Sequence, residues 1–224
     1  MKNSIYLLLV TTLILSSCGS TNKVLKSSAY SGMYKEKPLS LLIMPPINRS
    51  TNVEAKEFFH TTLNVPIANA GYYVIPPFLS MEILKRESAY DAEMFIDRPL
   101  NVFAEIFGAD MALFTIITKW DKSSLASKEI VEVEYIIKST TSGEVLYNRK
   151  GTVTYNTSVS AGNSALLSIL ASVANTAATK YVDVARAANN YTFSDLPAGM
   201  YGPQYGLDGG NTAGFKVFKV RLPK

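Results

Sequence analysis

The 224-residue sequence predicts an α/β fold in which one domain is built around a single mixed sheet. Three patterns predict this fold: a strand-helix-strand (βαβ) unit over residues 39–75, an antiparallel hairpin over residues 130–155, and a long C-terminal amphipathic helix over residues 163–189. A chain of this length buries one core comfortably. Because it contains a single cysteine, a disulfide scaffold is excluded.

The N-terminal element is an export signal. Lys2 precedes an apolar run over residues 5–15, which is shorter than the roughly 20 residues that cross a bilayer. Residues 15–18, Leu-Ser-Ser-Cys, resemble the lipobox of bacterial lipoproteins, where the cysteine is acylated and becomes the first residue after cleavage. We predict a signal peptide over residues 1–17 and lipidation of Cys18. An ordinary signal peptide with an incidental cysteine is the alternative.

Lipidation of Cys18 predicts a lasting membrane anchor, since it attaches several acyl chains and each buried methylene contributes about 0.8 kcal/mol. Residues 18–37 are predicted to be the lipidated cysteine and a flexible tether, because they are rich in Ser, Lys, Tyr and Gly. Gly19 is not the aspartate that retains many lipoproteins at the inner membrane. The predicted location is therefore the outer membrane, on its periplasmic side.

The mixed α/β domain is predicted over residues 38–190, and its first part is the βαβ unit. Residues 39–44 are a short apolar run that ends at a proline pair, as expected of a buried strand. Apolar residues then recur at helical spacing from Asn52, and Gly71 is placed to end this helix in the left-handed conformation. Residues 72–75 are aromatic and β-branched, which predicts the second strand.

The middle of the chain supplies two short helices, a central strand and a hairpin. The helices are predicted over residues 80–88, with Ser80 as the cap, and over residues 99–107. Residues 111–118 are almost all apolar, which predicts a strand covered on both faces. Residues 130–138 alternate between apolar and polar, and residues 145–155 follow a glycine-containing turn as the antiparallel partner strand.

The longest predicted helix runs from Asn163 to about Asn189. One face is an apolar stripe, and the other carries Ser168 and Ser172 with little charge. A solvated helix face usually carries more charge than this. The two serines are therefore candidate partner contacts, and an ordinary serine-rich surface is the plainer alternative.

Residues 191–224 form a C-terminal segment rich in Gly, Tyr and Pro. Tyr201 and Tyr205 lie within it, and tyrosine is enriched at binding surfaces because it joins a rigid apolar ring to a polar tip. Both are candidate partner-binding residues. The alternative is that both rings pack against the domain and pin the tail. Residues 215–221 are a candidate edge strand.

The sequence shows no catalytic constellation. The single histidine, His60, lies beside two phenylalanines, and no second histidine completes a zinc pair. Serine-hydrolase, P-loop and dinucleotide-binding motifs are absent. The net charge of +4 comes from scattered residues and does not imply a nucleic-acid partner. We predict no enzyme activity, no metal, no small-molecule substrate, and no cofactor beyond the covalent lipid on Cys18.

Four segments resemble a family of uncharacterised bacterial outer-membrane lipoproteins: residues 42–48 (Leu-Ile-Met-Pro-Pro-Ile-Asn), residues 61–76, residues 108–110 (Gly-Ala-Asp) and residues 201–205 (Tyr-Gly-Pro-Gln-Tyr). Members of that family are similar in fold to the N-terminal domain of TolB and to the periplasmic domain of CsgG. The resemblance implies a TolB N-terminal-domain-like fold and an accessory role in a CsgG-like secretion or envelope-assembly complex. An LpoB-like regulator of a peptidoglycan synthase is the alternative.

Overall fold

The computed structural model describes residues 23–123, 125–158, 168, 172 and 180–223. Within these residues seven strands form one mixed sheet, and helices pack on both of its faces. The strands are β1 Ser40–Ile43, β2 Ile47–Asn48, β3 Tyr73–Val74, β4 Met111–Ser123, β5 Lys128–Ser139, β6 Val145–Asn156 and β7 Val217–Leu222. The main helices are α1 Lys26–Ala29, α2 Ser31–Glu36, α3 Ala55–Asn69, α4 Pro77–Arg86, α5 Asn101–Phe107 and α6 Tyr181–Phe193.

The predicted βαβ unit is confirmed. Strands β1 and β3 are parallel neighbours joined by α3, with Leu41 opposite Val74. Gly71 follows the helix with φ +94°, in the left-handed region that glycine adopts at low cost. The first strand and its proline pair are also as predicted, although the chain rejoins the sheet at once as β2, where Ile47 lies opposite Ile116.

The predicted central strand is β4, which has β1 on one side and β5 on the other. Its residues alternate between two cores: Leu113 points into the core beneath α3 and α6, and Phe114 into the core beneath α4 and α5. Both side chains have no exposed surface. Burial on both faces explains why this strand is an uninterrupted apolar run in the sequence.

The predicted hairpin is confirmed as β5 and β6, which pair in antiparallel fashion. Val133 and Tyr135 are fully buried under the helices, whereas Glu132 and Glu134 lie on the opposite, partly exposed face. The candidate edge strand is β7, which pairs parallel to β6 and completes the order β3-β1-β4-β5-β6-β7. Strands β3 and β7 are therefore opposite edges of the sheet.

The prediction of one continuous helix from residue 163 to residue 189 is wrong. Most of its first half lies outside the described residues, but Lys180 has an extended backbone (φ −79°, ψ 134°), and α6 begins after it. The packing of Tyr181 explains the break, because its ring lies 5.4 Å from the Trp120 ring and 5.8 Å from the Phe58 ring, centre to centre. Helix α4 also differs from its prediction: it begins at Pro77, a residue favoured in the first turn, rather than at Ser80, which is buried.

A buried carboxylate fixes the strand side of this aromatic cluster. Glu129 has no exposed surface, and it accepts a hydrogen bond of 3.2 Å from the Trp120 indole nitrogen. Its second oxygen lies 3.2 Å from the Lys122 ammonium, which in turn lies 4.9 Å from the centre of the Tyr181 ring. The pairing offsets the cost of burying the charge.

The predicted flexible tether over residues 18–37 is wrong from Val24 onward, and residues 18–22 lie outside the described part of the chain. The Val24 carbonyl accepts a hydrogen bond of 2.8 Å from the Ala213 amide, and the chain then forms α1 and α2. Tyr30 and Met33 are buried in the core beneath α3 and α6, and this burial gives the short helices their stability. The domain therefore begins near residue 24 rather than at residue 38, and it includes residues 191–223 of the predicted C-terminal segment.

Candidate partner-binding surface

The loop over residues 199–207, which we call the tyrosine loop, is held against the end of α3 by backbone hydrogen bonds. The Gly199 amide donates to the Ala70 carbonyl at 2.8 Å, and the Tyr201 amide donates to the Gly71 carbonyl at 3.0 Å. Further turns close within the loop itself, including a bond of 2.9 Å from the Gly202 amide to the Gly199 carbonyl. The loop is irregular in form, yet its backbone has a fixed place on the domain.

Gly71 makes this close approach possible. A Cβ atom at this position would lie 2.7 Å from the Gly199 carbonyl oxygen and 2.6 Å from the Gly202 Cα atom. Both obstructing atoms belong to the backbone, so no side-chain rotation relieves the clash. The positive φ of Gly71 disfavours any other residue independently of the clash.

The loop presents apolar and aromatic side chains to solvent. Tyr201 is 68% exposed and Tyr205 is 40% exposed, and Met200 and Leu207 are more than half exposed as well. The alternative in which both tyrosine rings pack back on the domain does not hold. Beside the loop lies a groove of about 470 Å³, which is lined by Val65 of α3 and by Pro203 of the loop, among others. Exposed aromatic side chains next to a groove are typical of protein-binding surfaces.

Two buried aspartates, rather than the tyrosines, hold the tail in place. Asp208 accepts hydrogen bonds from the Ala198 amide at 2.9 Å and from the Tyr34 hydroxyl at 3.0 Å, and its carboxylate lies 3.6 Å from the Lys26 ammonium. Tyr34 lies in α2 and Ala198 directly precedes the tyrosine loop, so this one carboxylate joins α2 to the start of the loop.

The second carboxylate, Asp195, ties the last residues of the chain to the sheet. It accepts hydrogen bonds from the Gly214 amide at 2.9 Å and from the Tyr30 hydroxyl, and it lies 4.0 Å from the Arg149 guanidinium. Burial and the hydrogen bond to Asp195 raise the pKa of Tyr30, so this phenol stays a protonated donor. Burial and Asp208 raise the pKa of Tyr34 in the same way.

Of the remaining predicted site residues, neither Ser168 nor Ser172 lines this groove. Cys18 lies outside the described residues. Ser168 is partly exposed, but Ser172 is only 6% exposed, so the solvent-facing position predicted for Ser172 is wrong. A residue on an amphipathic helix is buried when a tertiary neighbour covers its polar face, which periodicity in the sequence does not reveal.

His60 is the only histidine of the chain and lies in α3, where it is 8% exposed. Burial lowers its pKa, and the nearby Lys56 lowers it further. Within the described residues, its Nε2 atom has no hydrogen-bond partner, and no group of three or more His, Cys, Asp or Glu side chains is placed to hold a metal ion. None of the helices in this part of the chain has the length and apolar character to span a membrane.

The sequence indicated Tyr201 and Tyr205, which are exposed on the surface, but not Asp195 and Asp208, which hold the segment in place. Asp195 and Asp208 are ordinary acidic residues in a turn-rich segment, and nothing in their spacing indicates partners 165 and 174 positions away. A signal did exist for Gly71, since its left-handed conformation was predictable from its place after the helix. Its second role, admitting the backbone of a distant loop, was not.

Comparison with known proteins shows the family of this chain. The family model described as "Putative lipoprotein GNA1162-like" matches residues 28–204. A protein of Neisseria meningitidis serogroup B, described as "Putative lipoprotein NMB1124/NMB1162", is 29% identical over 158 residues, which are 69% of this chain and 72% of that protein. The family model's match includes the α2 helix and residues 199–204 of the tyrosine loop.

Solved structures give two further similarities. The crystal structure of lipoprotein GNA1162 from Neisseria meningitidis covers 64% of this chain and 100% of its own, with 26% identity and a TM-score of 0.49. The C-terminal domain of LpoB from Salmonella enterica covers 57% of this chain and 96% of its own, with 15% identity and a TM-score of 0.38. The family match spans well over half of the chain, so this protein belongs to the GNA1162-like lipoprotein family.

Proposed function

We propose that this protein is a non-enzymatic lipoprotein of the outer membrane, facing the periplasm, that serves as an accessory component of a CsgG-like secretion or envelope-assembly complex. Its lipid is carried on Cys18, and it contacts its protein partner through the tyrosine loop. Membership of a lipoprotein family and the lipobox at residues 15–18 support the anchor. The resemblance of residues 42–48 and 201–205 to a lipoprotein family whose members are similar in fold to the periplasmic domain of CsgG supports the type of partner.

The observation that carries the proposal is the construction of the tyrosine loop. Tyr201 is 68% exposed on a backbone that is hydrogen-bonded to Gly71. A side chain on a fixed backbone loses little conformational entropy when it binds, so the loop is prepared for a partner. The groove next to it, which Val65 and Pro203 help to line, gives room for a side chain of that partner.

The anchor is tested by the Cys18→Ala variant. We expect the wild-type protein in the outer-membrane fraction and the variant in the soluble periplasmic fraction, because the thiol that carries the lipid is absent. Mass spectrometry of the wild-type N-terminus checks the modification directly. A variant that stays in the membrane fraction contradicts the lipid anchor.

The partner surface is tested by incorporating a photocrosslinking amino acid at position 201 in living cells. We expect a crosslinked product that contains a CsgG-like or other envelope-assembly protein. The matched control is the same amino acid at position 78, since Phe78 is 83% exposed but lies on α4, outside the loop. Equal crosslinking from both positions, or none from position 201, contradicts the proposed surface.

The identity of the crosslinked protein also distinguishes the proposed secretion role from the LpoB-like alternative. If it is a peptidoglycan synthase, and the purified chain changes the activity of that synthase, the LpoB-like alternative replaces the secretion role. If it belongs to a secretion complex and synthase activity is unchanged, the secretion role is supported.

A further inference from the structure

A second apolar surface lies where the two ends of the described chain meet. It is a groove of about 630 Å³, which we call the terminal groove. Its floor includes the rings of Tyr30 and Tyr147, which stack with centres 5.1 Å apart and are both buried. Val24 stands on one wall and Phe215 on another.

The rim of the terminal groove is unusually apolar for a solvent-facing surface. Phe215 is 82% exposed, and Val24 and Val145 are each more than half exposed. The segment that carries Phe215 is fixed, because its carbonyl accepts a hydrogen bond of 3.2 Å from the buried Arg149 guanidinium. A grouped apolar rim on a fixed backbone indicates a surface that is covered in the working state of a protein.

The charges at the terminal groove are of one sign. Lys23 and Lys216 are both exposed and line the groove, and none of its lining residues is acidic. An apolar centre flanked by lysines has the chemistry of a site at the membrane interface, where apolar side chains enter the boundary layer and ammonium groups meet lipid phosphates.

The position of the anchor brings the same groove to the membrane. Cys18 and Val24 are six residues apart, and six residues span at most about 20 Å when fully extended. Val24 is itself part of the groove wall, and its carbonyl is hydrogen-bonded to Ala213. A lipid on Cys18 therefore keeps the wall of the groove within about 20 Å of the bilayer.

We infer that the terminal groove docks on the surface of the bilayer in which Cys18 is anchored. Phe215 enters the boundary between headgroups and acyl chains, and Lys23 and Lys216 contact lipid phosphates. Docking fixes the orientation of the domain on the membrane instead of leaving it to rotate about its anchor. The inference rests on the lipid anchor of the proposed function and is independent of the partner that binds the tyrosine loop.

The test uses the full lipidated chain in liposomes that contain anionic phospholipid. Because the sequence has one cysteine and its thiol carries the lipid, a Phe215→Cys variant offers one thiol for an environment-sensitive fluorophore. The matched control is Phe78→Cys, since Phe78 is 83% exposed and lies on α4, which directly follows the strand at the opposite edge of the sheet. Lipids that carry a quencher near the headgroup report contact with the bilayer.

We expect blue-shifted emission and strong quenching by the labelled lipids at position 215, and neither at position 78. The variants Lys23→Gln and Lys216→Gln each remove one positive charge, and each should reduce the ratio of docked to undocked protein on anionic liposomes by about fivefold. Equal lipid quenching at positions 215 and 78 overturns the inference. So does a label at position 215 that is shielded from a water-soluble quencher but not reached by the lipid quencher, because a protein then covers the groove.

Failure of this inference is distinguishable from failure of the proposed function. Mass spectrometry of the purified chain reports whether Cys18 is lipidated before any liposome measurement. If the unlipidated chain is obtained, the anchor is wrong and the docking inference falls with it. If the chain is lipidated and position 215 stays in water, only the docking inference falls.

Discussion

Replacing Gly71 with alanine tests whether the tyrosine loop can pack against α3 only because residue 71 has no side chain. The substitution adds one methyl group, and the atoms in its path are backbone atoms of Gly199 and Gly202. The loop must therefore move away from α3. Two hydrogen bonds are lost when it does, from Gly199 to Ala70 and from Tyr201 to Gly71.

The expected magnitude follows from these two effects. An alanine at positive φ costs about 1 kcal/mol relative to glycine. Each lost backbone hydrogen bond costs about 1 kcal/mol. Gly71→Ala should therefore lower the free energy of unfolding by about 3 kcal/mol. Gly143 is a matched control, because its φ is +73° and an added Cβ would have no neighbour within 4 Å. Gly143→Ala should cost only about 1 kcal/mol.

Urea unfolding of the purified full-length variants measures both values. A difference of about 2 kcal/mol corresponds to a midpoint difference of about 1 M urea for a slope of about 2 kcal/mol per M. Crosslinking from position 201 should also weaken in Gly71→Ala and stay at the wild-type level in Gly143→Ala. If the two substitutions destabilise the protein equally, the cost of Gly71→Ala comes from its positive φ alone. That result would refute the view that the loop depends on a close approach of its backbone to Gly71.

The remaining predictions concern buried polar groups. Glu129→Ala should lower the free energy of unfolding in urea by about 2 kcal/mol, because it leaves the buried Trp120 indole N–H without its charged acceptor. Glu132→Ala, on the partly exposed face of the same strand, should change it by less than about 0.5 kcal/mol, and comparable losses contradict the assignment. The pKa of His60 is lowered on folding, so its contribution to stability is fully present above its unfolded pKa of about 6.5 and is lost as the pH falls through the lower folded value. Between about pH 7.5 and about pH 5, the free energy of unfolding in urea should therefore fall less for His60→Gln than for the wild type. Equal falls in the two proteins contradict this. Asp195→Ala should speed amide hydrogen exchange at both Gly214 and the α1–α2 segment, and unchanged protection at either place would show that other contacts hold that end of the chain.

Sequence patterns predicted the part of the fold that depends on local information. The apolar run at residues 111–118 became the central strand because burial on both faces leaves no room for polar residues there. The alternation at residues 130–138 survives in the structure, with Glu132 and Glu134 on the face that the helices do not cover. The predicted helix over residues 99–107 is α5, and Gly108 follows it in the left-handed conformation that glycine adopts at low cost.

The patterns failed where stability comes from distant residues. The segment over residues 24–36 contains no apolar run longer than two residues, and its short helices have no side-chain caps. Its order depends on Asp195 and Asp208, which act through Tyr30 and Tyr34. The extended backbone of Lys180 is a similar case, because a helical pattern continues through it and only the packing of Tyr181 on an aromatic cluster reveals the break.

The surface was harder to predict than the fold. Tyr201 and Tyr205 could be selected from composition alone, because exposed tyrosine in a turn-rich segment is a recognisable feature. Composition does not show whether a tyrosine ring packs against the domain and holds the C-terminal segment in place or faces solvent. That distinction depends on which residues hold the tail, and these are the two aspartates.

The two ends of the described chain meet at one edge of the sheet, and this meeting sets an order of events during folding. Residues 24–36 are synthesised early, whereas Asp195, Asp208 and Ala213, which fix them, belong to the C-terminal segment. If Cys18 carries the proposed lipid, about 18 unfixed residues with an average span of roughly 25 Å join the anchor to the unfinished domain. Once Ala213 binds Val24, only six residues separate the anchor from the domain. We therefore expect that completion of the C-terminal segment draws the domain toward the membrane, and that a chain truncated before Asp195 stays farther from it.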